Sequence, residues 1–189
     1  MNSQLWWYVA RAGGITAWAL MALSVLWGLA LSTKALGRRP RPNWILDLHR
    51  FLGGLALVFT GVHVLAIVAD SYVHFGLVEV LVPFTGTWHP AAVAWGIIGF
   101  YFLVAVEVTS LLRRRLSKRV WRATHFLSFP LFALTTLHAV AAGTDAGTVP
   151  LRAGIILAAL AVTVLTFVRI QQIERPGPAV DAVAKRRFS

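Results

Sequence analysis

The chain has no cysteine among its 189 residues. That excludes disulfides, thiolate-held iron–sulfur clusters, cysteine nucleophiles and covalent c-type haem attachment. Acidic residues are scarce, seven against eighteen lysines and arginines. Charged residues of both signs make up only 13% of the chain, and hydrophobic ones 58%. A soluble domain carries about a quarter charged residues, so this composition points to a membrane protein. A G-x-G-x-x-G strand–turn–helix unit for a dinucleotide is also missing. A formal charge of +11 in a soluble protein would suggest nucleic acid. Here the basic residues fall in short blocks between apolar runs, which is the pattern of membrane topology, and no nucleic-acid partner is expected.

Five apolar runs are long enough to cross a bilayer, which takes about 20 residues. They lie at about Tyr8 to Leu31, His49 to Ala69, Ala91 to Leu112, Trp121 to Ala142 and Leu151 to Ile170. The expected fold is therefore an all-α integral membrane bundle of five transmembrane helices. Leu5-Trp6-Trp7-Tyr8 reads as an interfacial aromatic anchor rather than the start of a cleaved signal peptide. Lys34, Arg38, Arg39, Pro40, Arg41 and Pro42 form a basic loop that cannot continue a helix. The connection from Asp70 to Trp88 has no lysine or arginine, and its short apolar piece, Phe75 to Val82, is expected to be interfacial or re-entrant. Pro90 suits the first turn of the third span. Residues 1–174 read as one domain, and 175–189 as a disordered cytoplasmic tail.

Sixteen of the eighteen basic residues fall on one side of this layout, leaving Arg11 and Arg152 on the other. The positive-inside bias puts the amino terminus outside and the carboxyl terminus in the cytoplasm of a plasma (inner) membrane. Spans two and four then run in the same direction.

Those two spans each carry two histidines, fourteen residues apart in His49/His63 and thirteen apart in His125/His138. Polar groups in lipid are penalised unless partnered, so four intramembrane imidazoles call for a purpose. His49 and His125 share the inner depth, and His63 and His138 the outer one. Fourteen residues rise about 21 Å, which fits two stacked sites in a core of about 30 Å. Imidazole is an axial haem ligand, and cofactor sites in bundles are built from facing helices. Fourteen residues bring His49 and His63 to within about 40° on one helix face, whereas thirteen leave about 140°. The fourth span is therefore expected to be kinked or rewound at Pro130.

Thr60 and Thr135 each precede an outer histidine by three residues, a spacing suited to contact on the same surface. Gly53, Gly54 and Gly61 would let a flat macrocycle approach the backbone. Arg50 and Arg122 stand beside the inner pair, where they could meet propionates. Phe59 and Phe132 lie between the two levels. Each also has an ordinary reading: hydroxyls bonding their own helix, small residues at helix contacts, arginines as topology markers. His74 and His89 read as solvated histidines of the outer connection, and Glu107 as an acid reaching toward the inner interface or serving proton transfer.

The two histidine pairs at these separations resemble those of the ferric reductase-like transmembrane domain, the group of ferric reductases, NADPH oxidases and the haem subunit of a bacterial methionine sulfoxide reductase system. The resemblance spans most of residues 8 to 170. It implies two b-type haems, His49 with His125 and His63 with His138, passing electrons across the membrane. About twenty residues follow the fifth span, too few for a flavin domain, so flavin is expected only through a partner. The implied donor is a separate flavoprotein or a quinol. The implied outer acceptor is ferric iron, an oxygen species or a redox partner. Two other readings stand beside this one: a self-contained quinol- or superoxide-reactive cytochrome resembling the b561 group, and a haem-free scaffold or transporter subunit.

Overall fold

In a computed structural model the described residues are 3–33, 43–70 and 75–174. They form seven helices and no strand: α1 (Ser3–Ser32), α2 (Asn43–Ala69), α3 (Leu77–Leu81), α4 (Pro90–Leu111), α5 (Lys118–His125), α6 (Ser128–Ala142) and α7 (Val149–Glu174). Five spans are long and apolar enough to cross a membrane: Gln4–Ser32, Asn43–Ala69, Pro90–Leu111, Lys118–Ala142 and Val149–Gln172. The basic loop at 34–42, His74 and the tail from Arg175 lie outside the described residues.

The long helices are apolar around most of their circumference, as lipid requires. Leu65, Leu157 and Phe51 on the outside are 63–70% exposed, where acyl chains would cover them. The interior is narrow. Met21, Val25 and Leu29 of α1 meet Ala56 of α2, Leu103 of α4, Leu131 and Phe132 of α6, and Ala158 and Val162 of α7. Helix α1 packs along α2 as an antiparallel pair, α4 packs along α6, and α1 also touches α6 and α7.

Polar side chains tie the helix ends together. Arg169 of α7 donates to the Ser32 carbonyl at 2.6 Å, and Gln172 donates to that of Thr33 at 2.9 Å. The last carbonyls of a helix have no partner within it, so these bonds close the end of α1. At the opposite end the Arg11 guanidinium makes a two-pronged ion pair with Asp145, in the turn between α6 and α7. That bond is the main reason the Asp145 carboxyl is held below its ordinary range.

The short apolar piece of the connection between α2 and α4 is α3, five residues long. Glu79 accepts from the Gly76 N–H at 2.6 Å, and the Tyr101 hydroxyl of α4 donates to the Leu81 carbonyl. Pro83 then ends any helix. Before α4, His89 adopts a left-handed φ of 41° and Pro90 takes the first helical position. At that position a missing N–H is harmless.

The fourth span is two helices. The Ser117 hydroxyl accepts from the Val120 N–H at 3.3 Å and starts α5. Pro130 has no N–H to offer the Phe126 carbonyl, which accepts instead from Phe129 at 3.2 Å. Leu127 bonds back only three residues, to Thr124, at 3.0 Å. These tight turns interrupt the span at Phe126 and Leu127, one turn before the proline, and Pro130 falls in the first turn of α6. The local rewinding expected from the thirteen-residue spacing is present, at Phe126 and Leu127 rather than at Pro130 itself.

Candidate functional site: two pairs of facing histidines

The helix pairing gathers the four intramembrane histidines into two pairs. The ring centres of His49 and His125 are 6.0 Å apart with planes at 77°. Those of His63 and His138 are 6.3 Å apart with planes at 76°. The inner pair lies by the carboxyl-terminal half of α1 and the outer pair by its amino-terminal half.

Three rings are fixed by a second contact. His49 Nδ1 lies 3.0 Å from the Ser24 carbonyl, His63 Nδ1 2.7 Å from that of Ala10, and His138 Nδ1 2.8 Å from that of Ala92. A carbonyl only accepts, so each Nδ1 carries the proton and donates. In the neutral ring Nε2 then keeps its lone pair for a metal. Each bond contributes about 0.5–1.5 kcal/mol net, while an unpaired buried donor costs about 1–3 kcal/mol, so this tautomer is strongly favoured. The Ser24 hydroxyl is also 3.3 Å from His49 Nδ1.

Glycines make the close approach possible. A Cβ on Gly14 would sit 2.9 Å from the His63 ring, one on Gly28 3.1 Å from His49, and one on Gly96 2.8 Å from His138. These positions allow the close approach, and nothing within the two histidine helices themselves points to them. A signal was available: Gly14 and Gly28 are spaced fourteen apart, matching His49 and His63 on the helix that packs against them.

A cavity of about 240 Å³ surrounds the outer pair. His63, His138, Thr60, Thr135, Gly96 and Trp18 line it within the bundle, and Arg11, Asp145, Trp7 and Trp88 stand toward its outer end. Arg11 is the one arginine or lysine among the described lining residues.

The remaining expected site residues have other partners. The Thr60 hydroxyl donates to the Ala56 carbonyl at 2.8 Å, and that of Thr135 to Leu131 at 2.8 Å, with Met21 Sδ at 3.4 Å. Both threonines line the cavity, yet each bonds its own helix rather than the histidine three residues on, because the i−4 carbonyl is nearer. Arg50 is exposed and pairs with Asp47 at 3.1 Å. Arg122 is exposed on α5. A Cβ on Gly53 would meet the Glu107 carboxylate of α4, so that glycine admits a side chain, whereas Gly54 and Gly61 face open space. His89 packs edge-on against Trp88, with ring centres 4.6 Å apart, away from both pairs.

Fold and site together define a helical membrane protein with two stacked pairs of facing imidazoles. The chain belongs to the family of the ferric reductase like transmembrane component, whose model matches residues 13–136. It is thus a membrane redox component for electron transfer, and domains of this family generally bind haem. The match includes His49, His63 and His125 and ends two residues before His138. No curated protein and no solved structure matches the chain.

The site's chemistry fits haem. Two metal–imidazole bonds of about 2.0–2.1 Å, plus about 1.1 Å from each nitrogen to its ring centre, put ring centres about 6.3 Å apart. The observed spacings match this estimate. Among the described residues no three histidine or acidic side chains gather as a metal site. Two facing imidazoles suit an ion whose other positions a macrocycle would fill.

Proposed function

We propose that this chain is a dihaem cytochrome b that carries electrons across the membrane. One haem b is held by His49 and His125, the other by His63 and His138. Held by such a pair of imidazoles, a haem would supply one-electron exchange between ferrous and ferric iron. The protein supplies the ligands, their tautomer and orientation, and an apolar filling between the two levels. Met21, Ala56, Leu103, Leu131 and Phe132 provide that filling and keep water out.

The observation that carries the reading is the ring spacing within both pairs, with Nδ1 anchored in three of the four rings. Arg11 is suited to a carboxylate at the outer level, and Arg50 and Arg122 are proposed for the inner haem's propionates. The amino terminus lies outside and the carboxyl terminus in the cytoplasm, as the charge bias requires. Electrons enter from a cytoplasmic flavoprotein or a quinol. They leave to ferric iron, an oxygen species or a partner protein on the outer side.

Visible spectroscopy tests this. Purified protein should be red, with a reduced-minus-oxidised b-type spectrum and two haems per chain. Replacing either outer histidine by alanine should remove one haem and leave the other. Colourless protein from haem-replete cells would favour the haem-free scaffold.

A further inference from the structure

The corner between α4 and α5 carries charge that no neighbouring acid answers. Arg114, Arg115, Lys118 and Arg119 fall within six residues there, and all four are exposed. The sequence has no acidic residue between Glu107 and Asp145. Among the described residues the ion pairs are Arg11–Asp145 and Arg50–Asp47, so none of these four cations is paired. Like charges this close repel one another, and an anion seated among them removes that repulsion.

The apolar side chains beside them say which kind of anion fits. Phe126 follows Arg119 by seven residues, which places it about 20° away on the same helix face and about 10 Å further along the axis. The helical turn does continue that far, because the Phe126 N–H donates to the Arg122 carbonyl at 3.1 Å. Phe126 is 66% exposed, and its ring stacks on that of Phe129 with centres 6.3 Å apart. At the end of α4, Leu111 is 82% exposed. Cations therefore stand where the fourth span enters the membrane, and bare apolar side chains stand about two turns deeper. That is the order of groups along a phospholipid, from phosphate to acyl chain. A soluble acidic protein would cover the cations and leave Phe126 bare.

We propose that this corner binds one anionic phospholipid of the adjacent leaflet. Arg114, Arg115, Lys118 and Arg119 surround its phosphate, and Phe126 lies along an acyl chain. Arg122, on the same face, is the residue proposed for a propionate and is not part of this site. The lipid ties the short helix α5 to the end of α4 and fixes the depth at which the fourth span begins. None of this requires haem, so the site stands apart from the electron-transfer reading.

Native mass spectrometry of the full-length protein tests it, with phosphatidylglycerol, phosphatidylcholine and glycerol phosphate as probes. Phosphatidylglycerol should be retained in preference to both others. Each cation near an anionic lipid is worth about fivefold in affinity, so Lys118→Gln and Arg119→Gln should each weaken retention by about that factor. The double variant should hold one phosphatidylglycerol fewer than the wild type, whereas Lys118→Arg should hold as many. Phe126→Ala should weaken phosphatidylglycerol and leave glycerol phosphate unchanged. Equal retention of the two lipids, or an unchanged count in the double variant, would overturn the proposal. So would glycerol phosphate binding as tightly as the lipid, which would make this a site for free phosphate. Displacement of the lipid by poly-L-glutamate with no effect of Phe126→Ala would instead assign the face to an acidic protein. If the neutralised variants do not fold, a salt titration of the wild type decides. Its preference for phosphatidylglycerol over phosphatidylcholine should fall as ionic strength rises, and a preference indifferent to salt would overturn the site.

Discussion

At the scale of single residues, the bundle depends on atoms that are missing as much as on those present. Gly96 shows this best, because a methyl group there would press on the His138 ring at 2.8 Å, inside van der Waals contact. A rigid core accommodates such overlap only by displacing the ring, at a cost of about 1–3 kcal/mol. Gly96→Ala should therefore lose the outer haem signal while retaining the inner one, read by haem-resolved redox titration. Gly154→Ala, on α7 with open space around it, should change neither. The Arg11–Asp145 pair titrates in a definite direction. The bond to Arg11 lowers the folded-state pKa of Asp145, so its stabilisation is full above the unfolded carboxylate pKa and fades as pH falls through the lower folded value. Acidification through that window should loosen the wild type, and Asp145→Asn should lack that increment when melting is followed against pH. The histidines were legible one by one, because an imidazole in an apolar run is conspicuous. Their glycine and carbonyl partners were not, since neither is unusual in a membrane helix.

At the scale of elements, the fourth span shows why spacing is informative even when it appears wrong. Thirteen residues on a straight helix would turn His125 well away from His138. The chain resolves this by ending α5 at His125 and restarting at Ser128, with Pro130 denying the Phe126 carbonyl its usual donor. Pro130→Ala restores that donor and should let a continuous helix form. His125 would then rotate off its partner. The expected result is loss or a high-spin shift of the inner haem with the outer haem intact, measured by absorption and electron paramagnetic resonance. An unchanged inner haem would mean that packing alone, and not the proline, holds the interruption. The site of the proline was legible; the position of the break, one turn earlier, was not, because it depends on which carbonyls find three-residue partners.

At the scale of the whole molecule, charge distribution is the basis of the proposed orientation and the helix ends give the layout. The ties of Arg169 and Gln172 to the end of α1, and of Arg11 to the turn after α6, fit alternating helix directions. The absence of cysteine makes the orientation simple to test. A Thr144→Cys variant should react with a membrane-impermeant maleimide in intact cells, and Ser117→Cys only after permeabilisation. The reverse pattern would invert the proposed orientation, and with it the proposed sides for electron entry and exit.

The sequence by itself determined the medium, the number of spans and the placing of four histidines within two of them. Those follow from hydropathy, helix rise and side-chain chemistry, all of which are local properties. Only the tertiary structure decided which atoms hold three of the imidazoles, that Thr60 and Thr135 turn to their own helices, and that Arg11 faces the cavity around His63 and His138. Those outcomes depend on the register between helices distant in sequence. Register is set by close packing over whole faces, and no single stretch of chain encodes it.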